Sequence, residues 1–171
     1  MSTIDQLLDN NRSYQQSFTA GQAPIPPARN LAVIACMDAR LHPEKILGLE
    51  IGDAHVIRNA GGVITEDAIR SLLISQRLLG TEEIVLIHHT ECGMVSFSDD
   101  EVKRQVEQET GIKPPFALEA FADADADVRQ SIERIKASPF IPRKESIRGF
   151  VYDVKTGELR EVSGERALAA V

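Results

Sequence analysis

The sequence predicts an α/β fold: a mostly parallel sheet of four to five strands flanked by helices, with an N-terminal helical arm. Three observations carry that expectation. The runs 31–36 (LAVIAC), 54–59 (AHVIRN) and 83–89 (EIVLIHH) read as strands, the first and third continuously apolar, and together they indicate a parallel sheet covered on both faces. Segments of helical period lie between and after them, as parallel crossovers require. The polar, amphipathic N-terminus is cut off from the rest by GQAPIPPARN (21–30), where three prolines forbid helix and extend the chain.

Each element has its own local reason. Ile4, Leu7, Leu8, Tyr14 and Phe18 recur at helical spacing over 4–18, with polar residues opposite. LAVIAC is the first strand. HPEKILG (42–48) then reads as a short helix with Pro43 at its first position. AHVIRN is the second strand and leads into the turn AGG at 60–62. Thr65 caps a helix with acids in its first turn and Gly80 at its stop. EIVLIHH is the third strand. Two acidic helices follow, stopped at Gly111 and Pro139, and SIRGFVYDV (146–154) is a fourth strand. TGE (156–158) turns the chain into LREVS. The acidic run at 123–127 lacks the glycine and distal glutamate of a calcium loop, and reads as a solvated helix start.

A chain of 171 residues fits one domain, spanning 1–171, that buries a core without disulfide or metal staples. Nineteen basic against 26 acidic residues leave a charge of −7, which argues against a duplex nucleic-acid surface. No apolar run approaches the roughly 18 residues of a membrane span. The N-terminus lacks the basic-then-apolar layout of a secretory signal, so a cytoplasmic location is expected. In a reducing compartment a lone pair of cysteines points to metal or catalysis rather than to a disulfide.

Both cysteines stand in short motifs at predicted strand ends, ACMDAR (35–40) and HHTECG (88–93). Ligand chemistry in open parallel sheets gathers at the carboxyl ends of the strands. If the first strand continues, alternation points Cys36, Asp38 and Arg40 the same way. His89 and Cys92, at H-x-x-C spacing, close on one ion as the backbone turns. Two sulfurs with an imidazole favour zinc, and three protein ligands with an open fourth position form the catalytic arrangement. His88 points to the opposite face. A guanidinium two residues from a carboxylate is shaped to orient it, which pairs Arg40 with Asp38. Glycines 61 and 62 permit backbone to approach the site closely, although turn-making alone explains them too. Asp53 and Arg58 read as structural salt links. A thioredoxin-like C-x-x-C is absent.

CMDAR, followed by GDAHVIRNAGG and then HHTECG, closely resembles the β-class carbonic anhydrases, especially their short branch. The match is dense over 31–93 and extends loosely to the N-terminal helix and to RGFVYDVKTGEL. The resemblance implies a carbonate dehydratase, a zinc lyase that hydrates carbon dioxide reversibly to bicarbonate. It implies one zinc per subunit held by Cys36, His89 and Cys92. Asp38 looks like the family's switch, a ligand when turned in and an Arg40 partner when turned out. The segment 1–30 resembles an arm that packs on a partner subunit, implying a homodimer or homotetramer. His42, His55 and His88 are candidate proton relays. The family's usual glutamine before the first strand is missing from PIPPARN, Ala39 replaces a usual serine, and Met94 replaces a usual glycine. The short branch also resembles carbonyl sulfide hydrolases, and carbonyl sulfide is the alternative substrate. A zinc protein without activity, or a bicarbonate sensor, is the third reading.

Overall fold

The computed structural model describes residues 2–162. Its elements run α1 (Thr3–Ser17), β1 (Leu31–Cys36), α2 (Pro43–Leu47), β2 (Ala54–Asn59), α3 (Glu66–Leu79), β3 (Glu83–His89), α4 (Asp99–Thr110), α5 (Ala124–Ala137), β4 (Ile147–Tyr152) and β5 (Leu159–Glu161). Single 3₁₀ turns occupy Ala60–Gly62 and Gly93–Val95. The sheet order is β2-β1-β3-β4-β5, with the first four strands parallel and β5 antiparallel.

Helix boundaries follow capping chemistry. The Thr65 hydroxyl accepts from the Ala68 amide at 3.2 Å, and Gly80 ends α3 in the left-handed conformation. Asp123 caps α5 through the Ala126 amide at 2.7 Å. That helix stops at Ala137 because Pro139 disfavours helical backbone at Ser138. The fourth strand is shorter than the apolar run: 153–157 close the hairpin to β5, with Gly157 N donating to Asp153 O at 2.9 Å.

Two apolar layers sandwich the sheet. On one side α3 and α5 deliver Leu72, Val128, Ile132 and Ile135 onto Ala32, Ile34, Ile84 and Leu86. Each such fully buried side chain contributes about 1.5–3 kcal/mol. On the other side Val33, Ala35 and Ile87 are covered by Leu41, Met94 and the α2 residues Ile46 and Leu47. Both cysteines belong to this second layer.

From β1 the chain steps to one side for β2 and to the other for β3. The reversal leaves a crevice beyond the carboxyl ends of β1 and β3, where open α/β sheets bind ligands. α1 lies outside this arrangement. None of its residues is buried, and Ile4, Leu7, Leu8 and Tyr14 are 51–68% exposed. A helix packed on its own core is therefore excluded.

Candidate metal centre and active site

β1 does not continue past Cys36, contrary to the alternation expected from its sequence. Met37 N donates to Asn59 O at 2.8 Å, and the chain then turns, with Leu41 N donating to Asp38 O at 3.0 Å. The turn, not strand pleating, brings Asp38 and Arg40 together. The Asp38 carboxylate accepts from the Arg40 backbone amide (2.9 Å), Nε (2.9 Å) and Nη2 (2.7 Å). Arg40 Nη2 also donates to Glu91 O at 3.0 Å, tying the first motif to the second.

β3 delivers His89 to the same crevice. Its ring is buried, and Nδ1 faces Thr90 O at 2.9 Å. That contact puts the proton on Nδ1 and leaves a bare lone pair on Nε2, which has no partner. Thr90 is itself anchored, donating N–H to Tyr152 O at 2.9 Å and accepting from Val154 N at 3.1 Å. Glu91 then takes a positive φ of 55°, and Cys92 turns back under the crevice.

The two thiols approach to 4.0 Å, and one donor atom each from Cys36, His89 and Cys92 lie within 4.8 Å of one another. Asp38 Oδ2 stands 3.7 Å from His89 Nε2, at the border of the set. Gly62 explains how the backbone fits beneath it. A Cβ there would meet Cys36 N at 2.8 Å and Ala35 C at 3.0 Å, and its φ is +72°. Gly61 is buried against Phe121 and Met94, so the methionine fills space beside the turn.

The electrostatics describe a site short of positive charge. The Cys36 thiol is drawn down to about 4, chiefly because the Cys92 thiol donates to it, with burial opposing and His89 helping. The same contact, together with burial, pushes Cys92 up. Burial, the largest single influence, disfavours the His89 imidazolium, but Cys36, the Thr90 carbonyl and Asp38 together outweigh it and the net shift is upward. Arg40, through its side chain and then its amide, holds Asp38 far below the usual carboxylate range.

These donors fit a borderline-soft divalent ion. Sulfurs that each lie about 2.3 Å from one ion can be no more than about 4.6 Å apart, and the observed 4.0 Å lies inside that limit. The orphaned lone pair of His89 and two buried thiols are what such an ion requires.

The other sequence candidates fall elsewhere. His88 faces away, its Nε2 donating to Asp127 on α5 at 2.7 Å, and His55 bonds Ser75 at 2.7 Å. His42 precedes α2 in solvent beside Glu44. Asp53 does form a salt link, with Arg29 at 3.0 Å. Arg58 does not: it donates to backbone carbonyls of the first motif instead.

The carbonic anhydrase family model matches residues 31–159, and the chain belongs to that family. Its relatives put it in the β class. It is 54% identical over 163 residues to Beta-carbonic anhydrase 1 of Mycobacterium tuberculosis, covering 95% of this chain and 99% of the relative. A carbon disulfide hydrolase of Acidithiobacillus thiooxidans is 38% identical over 181 residues, covering 94% of this chain and 90% of that one. Among solved structures, a carbonic anhydrase from Streptococcus mutans superposes with a TM-score of 0.89 at 41% identity. It covers 95% of this chain and 99% of that chain. Among the described residues no helix is long and apolar enough to cross a membrane.

Proposed function

We propose that this protein hydrates carbon dioxide reversibly to bicarbonate, using one zinc ion per chain held by Cys36, His89 and Cys92. The observation that carries the reading is the bare Nε2 of buried His89, facing two buried thiols with no polar protein partner. When bound there, zinc lowers the pKa of a coordinated water from about 15.7 to about 7. Asp38 and Arg40 are the proposed catalytic pair. Asp38, kept ionised by Arg40, would accept a hydrogen bond from the attacking oxygen species and so direct its lone pair at the substrate carbon. Because both carboxylate oxygens are occupied by Arg40, Asp38 is held beside the donor set rather than within it. That arrangement favours an exchangeable fourth position over a closed structural site. Gly61 and Gly62 let backbone line the substrate position, and Ala60, Met94 and Phe121 provide apolar surroundings suited to an uncharged gas. The half-exposed Arg40 places positive charge where bicarbonate departs.

The relatives named carbon disulfide hydrolases support a second reading, in which the same centre cleaves carbonyl sulfide or carbon disulfide to hydrogen sulfide. Stopped-flow hydration kinetics and sulfide release, measured on one zinc-replete sample, separate the two. Fast hydration with little sulfide is expected, and sulfide release with negligible hydration overturns the first reading. Failure of both from pH 6 to 9 leaves a zinc protein without activity, or a bicarbonate sensor.

The proposal treats 1–171 as one domain whose segment 1–30 lies on a second copy, covering the apolar face of α1 in a homodimer or homotetramer. Sedimentation of the native chain as a monomer refutes this. Free thiols at Cys36 and Cys92 suit a reducing compartment, and the proposed location is the cytoplasm.

A further inference from the structure

We infer that Arg58 is a positioning residue for the Asp38–Arg40 pair, acting through the backbone of the turn that carries it. This rests on the proposed role of Asp38. Arg58 is the last residue but one of β2, next to β1, and its side chain donates to two carbonyls. Nε and Nη2 reach Cys36 O at 3.1 and 2.9 Å, and Nη2 also reaches Asp38 O at 2.8 Å. Among the described residues no carboxylate forms a salt bridge with it.

The ladder between β1 and β2 ends at the pair Cys36 and Asn59, so beyond it β2 reaches the turn by side chain, and Asp38 O takes Arg58 Nη2 in addition to Leu41 N. Asn59 O takes the Met37 amide at 2.8 Å, and Arg58 takes the carbonyls on either side of that residue. The end of β2 therefore grips the segment 36–38 by one amide and two carbonyls. A planar guanidinium, with donors in a fixed fork, can hold two carbonyls at a set spacing, and an ammonium cannot match that geometry. With both peptide planes fixed, the Asp38 side chain leaves the backbone in the one direction that meets Arg40 and stays 3.7 Å from His89 Nε2. Released from Arg58, the turn keeps the Met37 and Leu41 backbone bonds and the Arg40 contacts to Asp38 and Glu91, but loses the side-chain ties that β2 makes to its carbonyls.

The test uses the zinc-loaded full chain with Arg58→Gln and Arg58→Lys, each also built in an Asp38→Asn background. Two quantities are read. Amide hydrogen exchange of a peptide covering 36–41 is expected to quicken at least tenfold in Arg58→Gln while the β3 and β4 peptides stay protected. Arg58→Lys restores part of the protection. Unchanged exchange at 36–41 overturns the clamp, whatever the chemistry of the site. For hydration, Arg58→Gln is expected to lower kcat about tenfold with KM and zinc content unchanged, and to cost nothing further in Asp38→Asn, as two residues acting through one group require. An equal loss in both backgrounds, or loss of the metal, overturns the proposed route through Asp38. Full activity in Asp38→Asn alone instead removes the catalytic role proposed for Asp38, and the exchange result still decides whether Arg58 holds the turn.

Discussion

His88 and His89 are neighbours at the end of β3, both buried, with opposite surroundings. His88 faces the helical layer. It donates to Asp127 of α5 at 2.7 Å and stacks at a tilt on Phe121, ring centres 5.4 Å apart. His89 faces the crevice, bonds only the adjacent carbonyl of Thr90, and turns its free nitrogen to two thiols. Among the described residues each ring leaves one nitrogen without a hydrogen-bond partner, and of the two only that of His89 has metal-binding atoms around it. One residue of strand alternation thus separates a histidine that joins helix to sheet from one that offers a lone pair to a ligand. Burial alone does not distinguish them; the neighbouring atoms do.

The largest effect tests the crevice side. His89→Ala is expected to abolish both zinc retention and hydration, because two thiols alone lack the third donor; metal analysis and stopped-flow kinetics check it. Asp38→Asn comes next. It keeps the shape and removes the charge, so zinc stays at one per chain while kcat/KM falls about 100-fold, the scale of losing one pre-organised hydrogen-bond partner at a reacting oxygen. Loss of the metal in this variant would make Asp38 an obligatory ligand and blur the boundary drawn here.

On the helical side the expected losses are of stability. Asp127→Ala strips buried His88 of the only hydrogen-bond partner it has among the described residues and should cost about 1–3 kcal/mol in denaturant unfolding. Zinc content and kcat should stay within about twofold of the parent. A large loss of zinc would show that the two histidines are not separable.

The smallest effect lies farther out. Asp99 accepts the amides of Leu118, Glu119 and Ala120 at 2.7, 3.4 and 3.0 Å, fastening the segment that carries Phe121 to the start of α4. These amides, Ala120 first, depress its carboxyl. A depressed carboxyl stabilises the fold above its unfolded value of about 3.9 and loses that contribution as pH falls through the folded value. Asp99→Ala should therefore cost about 1 kcal/mol at pH 7, and the gap from the parent should close below about pH 4. A gap independent of pH would contradict the assignment.

Much of this was legible in sequence. The three strands at 31–36, 54–59 and 83–89 fall where the sequence places them: β1 and β3 are central, buried and largely apolar, whereas β2 is a half-buried edge strand that ends in Arg58 and Asn59. The spacing of Cys36, His89 and Cys92 at strand ends announced a donor set that the fold brings together. Arg58 was misread as a salt link because its acceptors are carbonyls, which every residue carries and no motif marks. Asp127 as the partner of His88 was equally hidden, since 39 residues separate them and only the packing of α5 on β3 joins them. The turn after Cys36 escaped for a related reason: the hydrogen bond that peels Met37 onto Asn59 is a tertiary fact. The bare apolar face of α1 was visible in the pattern, but a pattern says that a face needs cover and not what covers it.

Zinc analysis of purified native protein, His88→Asn and His89→Ala, side by side, tests the central claim most directly. The account predicts one zinc per chain in the first two and none in the third. No zinc in the native protein, or equal loss from both histidine variants, would contradict it.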